Sequence, residues 1–462
     1  MPDRILPLLD ASRPLAERFV AAGHRLYLVG GVVRDVLLGR PTDLADLDFT
    51  TDAPPDRTED LLRGWADAVW TQGKRFGTIA AKKDGRSYEV TTHRADAYEP
   101  DSRKPDVAFA DQVEADLSRR DFTVNAMAIS LPEPELIDPH GGLADLGASR
   151  LRTPMAPEIS FNDDPLRMLR AARFIAGYGL EPDPELVAAV EALHHRLEIV
   201  SPERIRDELD KLIVVEEPGP GLWFLVRTGL AGEFLPELPA LGLEQDPIHR
   251  HKDVLAHTIA VVERALPASD RILRLSALFH DVGKPKTRSI GRHGVSFHHH
   301  EVVGARMTRD RMRALHYGND DIEAVTRLVE LHLRFHGYAG DVWTDSAVRR
   351  YARDAGPLLD RLNKLTRADC TTRNQRKAEL LARRMDDLEA RIAELEEQEE
   401  LSKVRPDLDG DQVMAHLGLK PGREVGEAVR FLTELLLDEG PLGEEEAYRR
   451  LDAWWAERPK PV

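Results

Sequence analysis

Two carboxylates, Asp46 and Asp48, stand one residue apart in a strand-like run that continues Phe49-Thr50. A strand alternates its side chains, so both acids fall on one face. Carboxylates paired on a rigid strand can hold one or two Mg²⁺ ions, which keep coordination room for phosphate oxygens and water. Such ions polarise a triphosphate and activate an attacking hydroxyl. Upstream, Gly30-Gly31-Val32-Val33-Arg34-Asp35 joins a strand to a helix through two glycines. Backbone N–H groups at that helix start can approach a phosphate closely, and Arg34 in the first turn adds charge. Alone, an Asp-x-Asp pair is more often a solvated loop and a Gly-Gly pair more often a chain reversal; it is their combination that points to metal-assisted phosphoryl chemistry.

A second concentration of ligand-type residues lies further along. Eleven of the 17 histidines fall between His249 and His336, and such clustering suggests a metal. His280-Asp281 ends the apolar run Leu275 to Phe279, with His257 before it and His300, His332 and Asp369 after it. Neutral imidazoles and carboxylates in this set can hold one or two divalent ions and activate water. His298 and His299 read as spacers, and His249, His251, His316 and His336 as solvated side chains.

The elements that must position these groups follow from periodicity. Leu26 to Gly30 is a short apolar strand, Val32 to Leu38 a helix closed by Gly39, and Leu47 to Thr50 the start of another strand. From Asp163 onward strand signals thin out, and Ser201-Pro202 and Pro218-Gly219-Pro220 punctuate a helical pattern. The fold class is an α+β head with a mixed sheet, followed by all-α domains. The expected division is a head over 1–153, a helical neck over 154–240, a His-rich domain over 241–375 and an acidic helical tail over 376–462. Within the tail, Arg376 to Leu401 reads as one long charged helix and a smaller helical module opens after Pro406.

Composition bounds the function. The chain has 462 residues, 42% hydrophobic and 31% charged, enough for several cores. A single cysteine, Cys370, excludes an internal disulfide or a cysteine-based zinc site and fits the reducing cytoplasm. Residues 1–10 lack the apolar core of a signal peptide, and no stretch approaches the roughly 20 apolar residues of a membrane span. The net charge of −17 argues mildly against nucleic acid, yet the 22 acidic and 14 basic side chains from Arg376 onward carry much of it. An acidic tail can mask a locally basic groove.

The run Leu28 to Gly39 followed by Asp46-Leu47-Asp48 resembles the signature of the class II nucleotidyltransferases of the polymerase-β superfamily, the family of CCA-adding enzymes and poly(A) polymerases. Arg119-Arg120-Asp121-Phe122-Thr123-Val124-Asn125-Ala126-Met127 resembles its second motif, which implies that Arg119, Arg120 and Asp121 organise the nucleotide sugar and phosphates. Asp164 to Phe174 resembles the nucleotide-selecting helix. There Pro165 suits the first helical position and Asp164 the cap. Steps of three residues turn about 300°, so Asp164, Arg167, Arg170 and Arg173 spiral backward and only neighbours share a face. Asp164 and Arg167 can then read the amine-plus-acceptor edge common to cytosine and adenine, while guanine and uracil oppose a carbonyl to the carboxylate. Arg170 and Arg173 are better placed for phosphate or packing.

The resemblance further implies a third metal carboxylate on a neighbouring strand, for which Glu89 is the candidate, and a loop over His93 to Asp106 that moves as the enzyme switches nucleotides. The H…HD…H…H…D order resembles HD-domain phosphohydrolases. Together these features imply a CCA tRNA nucleotidyltransferase using Mg²⁺, CTP and ATP, its neck and tail clamping the tRNA acceptor arm, with a second divalent metal in the HD domain and no protein partner. The alternatives are a poly(A) polymerase of the same family and a metal-dependent phosphohydrolase whose head recognises RNA.

Overall fold

The computed structural model describes residues 5–41, 46–94, 109–243, 253–292, 294–337, 344–371, 375–399 and 406–458. The chain divides into two compact units, Met1–Pro236 and Glu237–Val462. The first opens with α1 (Leu6–Ala21), β1 (Leu26–Val29), α2 (Gly31–Leu38), β2 (Asp46–Thr51), α3 (Pro55–Arg63), β3 (Ala68–Trp70), β4 (Thr78–Lys83) and β5 (Arg86–Thr92). It continues through α4 (Val113–Ser118), a 3₁₀ turn at Thr123–Asn125, β6 (Ala128–Leu131), β7 (Leu136–Ile137), α5 (Gly142–Gly147) and β8 (Arg150–Leu151). The helical part comprises α6 (Pro157–Asp163), α7 (Leu166–Tyr178), the short β9 (Glu181–Pro182), α8 (Pro184–Leu193), α9 (Pro202–Ile213), α10 (Gly219–Arg227) and α11 (Leu230–Phe234).

β1 to β7 form one sheet in the order β3-β4-β5-β2-β1-β6-β7. Only β2 and β5 run parallel, so the sheet is mixed as the sequence implies. In β2, Leu47 and Phe49 point into the core while Asp46 and Asp48 point out. α3 covers the apolar face, where Trp65 meets Tyr88 edge-on at 4.9 Å. α2 ends where expected, with Gly39 in the left-handed conformation.

The second unit holds α12 (Val254–Arg264), α13 (Arg271–Phe279), α14 (Lys284–Thr287), a hairpin of β10 (Arg288–Gly291) and β11 (Gly294–Phe297), α15 (His300–Ala314), α16 (Asn319–Leu331), α17 (Arg334–Gly337), α18 (Asp345–Ala355) and α19 (Leu359–Asp369). Its last helices are α20 (Gln375–Glu399), α21 (Gly410–Leu417), α22 (Arg423–Glu439) and α23 (Glu444–Ala456). Every residue of α13 from Leu273 to Phe279 is buried, which makes it the central helix. The tail module has a core of its own around Val413, Ala428, Leu432 and Leu451, and Asp409 with Gln412 forms a capping box at the start of α21. The β8–β9 and β10–β11 pairs were not anticipated. Two-residue strands and a hairpin without a buried residue carry no apolar alternation.

α7 is the scaffold on which the first unit's arginines sit, and its packing depends on one glycine. A Cβ at Gly221 of α10 would lie 2.4 Å from the Ala172 carbonyl and 2.6 Å from Leu212. Gly221→Ala is therefore expected to push α10 off α7 and destabilise this unit by about 1–3 kcal/mol. Thermal unfolding of the two proteins checks this; an unchanged midpoint would contradict the close approach.

Candidate active site and metal centre

The parallel register of β2 and β5 sets Glu89 directly beside Asp48, with Ser87 beside Asp46. Three carboxylates thus gather on the exposed face of the sheet. Gly30 closes one side of the group. It adopts φ 81°, and a Cβ there would stand 3.3 Å from the Asp48 carboxylate and 3.7 Å from the Arg120 guanidinium, so a side chain would enter the site itself. Although Asp48 as a residue is open to solvent, protein atoms crowd its carboxyl; this desolvation, then the charges of Glu89 and Asp46, push it up to about 6 against the pull of Arg120. An all-oxygen donor set of like charges, exposed on one side, suits a hard divalent cation.

The arginine pair is held from behind. Asp116, buried in α4, accepts from Arg119 Nε at 3.3 Å and from Arg120 Nη2 at 3.2 Å. Burial alone would raise this carboxyl, but Arg120 and Arg119 outweigh it and hold it below its ordinary value.

Asp121 faces the other way. One oxygen accepts from Asn125 Nδ2 and the Phe122 N–H, both at 2.9 Å, and the other from Arg170 Nε at 2.8 Å and Nη2 at 2.6 Å. Burial opposes its ionisation, yet Arg170 and Asn125 hold its pKa down to about 2. Arg170 also reaches Glu208 of α9 at 3.3 Å, and Arg173 Nε donates to the same carboxylate at 2.8 Å.

Arg34 is buried. Its guanidinium donates to Asp35 at 2.9 and 3.0 Å, to Asn125 Oδ1 at 2.6 Å and to the Tyr178 hydroxyl, and lies 4.0 Å from the centre of the Tyr178 ring. Gly31 lets this guanidinium approach, with Nη2 3.2 Å from where its Cβ would be.

At the start of α7 the first helical residue is Leu166, one position later than the sequence reading, and Pro165 occupies the cap. Asp164 precedes a proline, which keeps it extended at φ −142°, and its side chain still accepts the Leu166 N–H at 3.2 Å. The same carboxylate pairs with Arg204 at 2.8 Å. Arg167 is buried, with Nη1 on Ser160 Oγ at 2.8 Å and Nη2 on the Arg119 carbonyl. Among the residues the sequence reading did not single out, Asp116 sits three and four positions before the arginines it holds, a helical spacing that could have found it. Glu208 and Tyr178 carry no local signal.

In the second unit the six residues His257, His280, Asp281, His300, His332 and Asp369 converge. His257, His280 and Asp369 form one group whose ligand atoms lie within 4.8 Å of one another, and Asp281, His300 and His332 form another. His257 Nε2 is 2.9 Å from Asp369 and 3.3 Å from His280 Nε2, which is 3.2 Å from Asp281. His300 Nε2 stands 3.3 Å from the other Asp281 oxygen. His280, His300 and His332 each give Nδ1–H to the carbonyl three residues back, on Ala277, Phe297 and Val329 at 2.7, 2.8 and 2.6 Å. A carbonyl only accepts, so each Nδ1 carries a proton and each Nε2 is turned inward. The buried Nε2 atoms of His300 and His332 have no hydrogen-bond partner. These two unpartnered, inward-facing nitrogens, in a cluster that holds two carboxylates, fit divalent metal ligation.

Electrostatics keeps this cluster charged unevenly. Burial works against charge on His280, but Asp281 and Asp369 raise its pKa; burial, then the His280 charge, lowers His332 to about 3. Burial likewise opposes ionisation of Asp281, which His280 and Lys284, the latter at 2.5 Å, hold well below the carboxylate range. Gly283 makes the packing possible, since a Cβ there would lie 2.1 Å from the His300 carbonyl.

His298, His299 and His316 are exposed, and His336 falls in α17. His249, His251 and residues 95–106 of the anticipated loop lie outside the described residues, whereas His93 at the loop's start is buried against Thr50, 2.8 Å away.

Comparison with known proteins bears on both sites. The Poly A polymerase head domain family matches residues 26–152, the family described as a probable RNA and SrmB-binding site of polymerase A matches 179–241, and the HD domain family matches 254–396. A CCA-adding enzyme of Bacillus pumilus is 40% identical over 234 residues, which are 50% of this chain and 55% of that enzyme. Several other CCA-adding relatives are likewise matched over about half their length. An A-adding tRNA nucleotidyltransferase of Deinococcus radiodurans is 34% identical over 447 residues, covering 93% of this chain and 95% of the relative. In fold, the Bacillus stearothermophilus CCA-adding enzyme in complex with CTP superposes with a TM-score of 0.70 at 22% identity, over 99% of this chain and 98% of the other. With a relative matched along almost its entire length and the head, RNA-binding and HD families in the same order, the chain belongs to the family of CCA-adding and A-adding tRNA nucleotidyltransferases.

Proposed function

We propose that this chain adds C, C and A from CTP and ATP to the 3′ end of tRNA without a nucleic-acid template. The observation that carries the reading is the grouping of Asp46, Asp48 and Glu89 on one sheet face beside Gly30 and Arg120. Asp46 and Asp48, completed by Glu89, would hold Mg²⁺, which when bound polarises the α-phosphate and activates the terminal hydroxyl of the RNA. That hydroxyl attacks the α-phosphate in line and pyrophosphate leaves. Gly30 leaves space for the triphosphate beside the acids, Arg119 and Arg120 supply positive charge on that side, and Asp121 keeps Arg170 in place. Asp164 and Arg167 read the base edge, the carboxylate accepting from the exocyclic amine. In this reading the neck over 154–240 and the tail over 376–462 grip the acceptor arm through phosphates and shape. The lone Cys370 supports a cytoplasmic setting; no helix among the described residues is long and apolar enough to cross a membrane.

A second reading, addition of A alone, is favoured by the Deinococcus relative, an A-adding enzyme matched along nearly its full length. Labelled CTP and ATP supplied singly to tRNA lacking CCA, and to tRNA already ending in CC, separate the two. Incorporation of C on the first substrate supports CCA addition. Activity confined to ATP on the second supports A addition.

The six-residue cluster of the second unit fits a divalent pair able to hydrolyse phosphoesters, with the metal left open. His280→Ala with Asp281→Ala is expected to leave nucleotide addition largely intact and to abolish metal-dependent phosphatase or 2′,3′-cyclic phosphodiesterase activity. Wild-type protein assayed with Mg²⁺, Mn²⁺, Ni²⁺ and Co²⁺ provides the baseline; absence of hydrolysis with all four would make the cluster structural.

Asp46→Ala or Asp48→Ala is expected to abolish C and A addition together, since both nucleotides use one metal site. Because the Asp48 carboxyl is raised to about 6, it takes up a proton as pH falls through that value and competes with the cation. The Mg²⁺ concentration for half-maximal activity should therefore rise between pH 7 and pH 5. Persistent A addition in either variant, or a pH-independent Mg²⁺ requirement, would contradict the assignment.

Asp164→Ala removes the acceptor that opposes the guanine and uracil carbonyls. Misincorporation of UTP or GTP should rise on the order of ten- to a hundredfold while correct addition falls, a contact of this kind discriminating by about 1–3 kcal/mol. The readout is kcat/KM for each nucleotide; an equal fall for all four would leave Asp164 as a helix cap and partner of Arg204 only.

A further inference from the structure

The carboxylate face of the sheet extends beyond the acids. Asp48 faces Glu89 on β5, Glu89 faces Ala80 on β4, and Ala80 faces Trp70 on β3. Residues paired across strands share a face, so Trp70 stands in one row with Asp48 and Glu89. Three strand spacings separate it from Asp48, about 14 Å. The neighbouring row reads Asp46, Ser87, Lys82 and Ala68. On the opposite face Leu47, Phe49, Tyr88, Val90, Ile79 and Ala81 are all buried.

What lies between Trp70 and the acids is low. Ala80, Thr78 and Ser87 are small, and they form a shelf from the edge strand to the carboxylates. Trp70 is 43% exposed. Lys82 is exposed and makes no ion pair among the described residues. A single exposed apolar residue is unremarkable. Here, however, Tyr27 on the same face is buried, and the exposed ring of Trp70 sits on the edge strand, at the end of a shelf leading to a site that acts on an RNA 3′ end. Unpaired bases stack on such rings whatever their sequence, because every base has a π-face. An RNA backbone crossing a face that carries Asp46, Asp48 and Glu89 also needs a cation on its path, and Lys82 is placed in the adjoining row to meet a phosphate.

We propose that Trp70 is the stacking platform for an unpaired nucleotide a few positions from the 3′ end of the acceptor RNA, with Lys82 contacting the backbone between that nucleotide and the terminal hydroxyl. This rests on the nucleotidyl-transfer reading and goes beyond it by assigning the RNA a subsite on β3 and β4, separate from the base-reading residues of α7.

The test uses the full chain and an RNA minihelix with an unpaired 3′ end. Trp70→Ala should raise the KM for RNA by about five- to a hundredfold, as expected for loss of one stacked base, leave the KM for CTP and ATP unchanged, and be rescued by Trp70→Phe. Lys82→Gln should weaken RNA binding and reduce its salt slope by about one. Independently of any variant, 5-iodouridine placed in the unpaired segment should crosslink the wild-type protein at Trp70. An unchanged RNA KM in folded Trp70→Ala, a raised nucleotide KM with unchanged RNA KM, or crosslinks that avoid Trp70 would each overturn the platform. Should wild-type protein transfer no nucleotide, the transfer reading fails, and the crosslink still reports on the platform by itself.

Discussion

Arg170 lays two N–H groups on one oxygen of Asp121, and that contact ties the sheet of the first unit to the helix that follows it. The other oxygen fixes Asn125, whose amide oxygen takes Arg34, and Arg34 lies over Tyr178 at the far end of the same helix. α7 is thereby held to the head both in its middle and at its end. Glu208 seats Arg170 and Arg173 from α9, so no guanidinium in this chain of contacts is left without a carboxylate or amide partner. Removing one member of a buried pair strands the other charge and costs about 3–5 kcal/mol, far more than an exposed pair contributes. The position of Asp164 and Arg167 relative to the carboxylates of the sheet thus depends on side chains that need not touch a nucleotide themselves.

The two candidate metal centres solve opposite electrostatic problems. In the head, three acids face solvent with like charges side by side, and Arg120 is the compensating cation within the group. In the second unit, Asp281 and Asp369 are enclosed but each has cationic or hydrogen-bonding company, from Lys284, His280 and His257. An open oxygen-only set leaves room for a phosphate-bearing ligand and water. A closed nitrogen–oxygen set favours transition-metal ions and holds them by geometry.

Much of this was legible in the residues. The alternation of Asp46-Leu47-Asp48-Phe49 marked strand and face together, and the six residues picked out by resemblance to the H…HD…H…H…D order gather in the second unit. Glu89 was legible only through family resemblance, because a parallel register between strands so far apart in sequence leaves no local mark. The engagement of Arg34 and Asp121 in buried contacts was not legible. A charged residue in a motif looks the same whether its partner is a phosphate or Asn125, and that partner is set by tertiary packing. At the start of α7, Asp164 is extended with its side chain on the Leu166 N–H and Pro165 is already helical, the conformations a cap and the residue after it adopt.

His280 and His332 sit at the ends of α13 and α16, where the last carbonyls of a helix have no backbone donor. Their Nδ1–H groups cap those carbonyls while Nε2 points into the cluster. Each imidazole is therefore oriented by the helix it terminates, and the rotational freedom that ligation would otherwise remove is already lost on folding. A mutation that removes either ring uncaps a helix as well as emptying a place in the candidate centre.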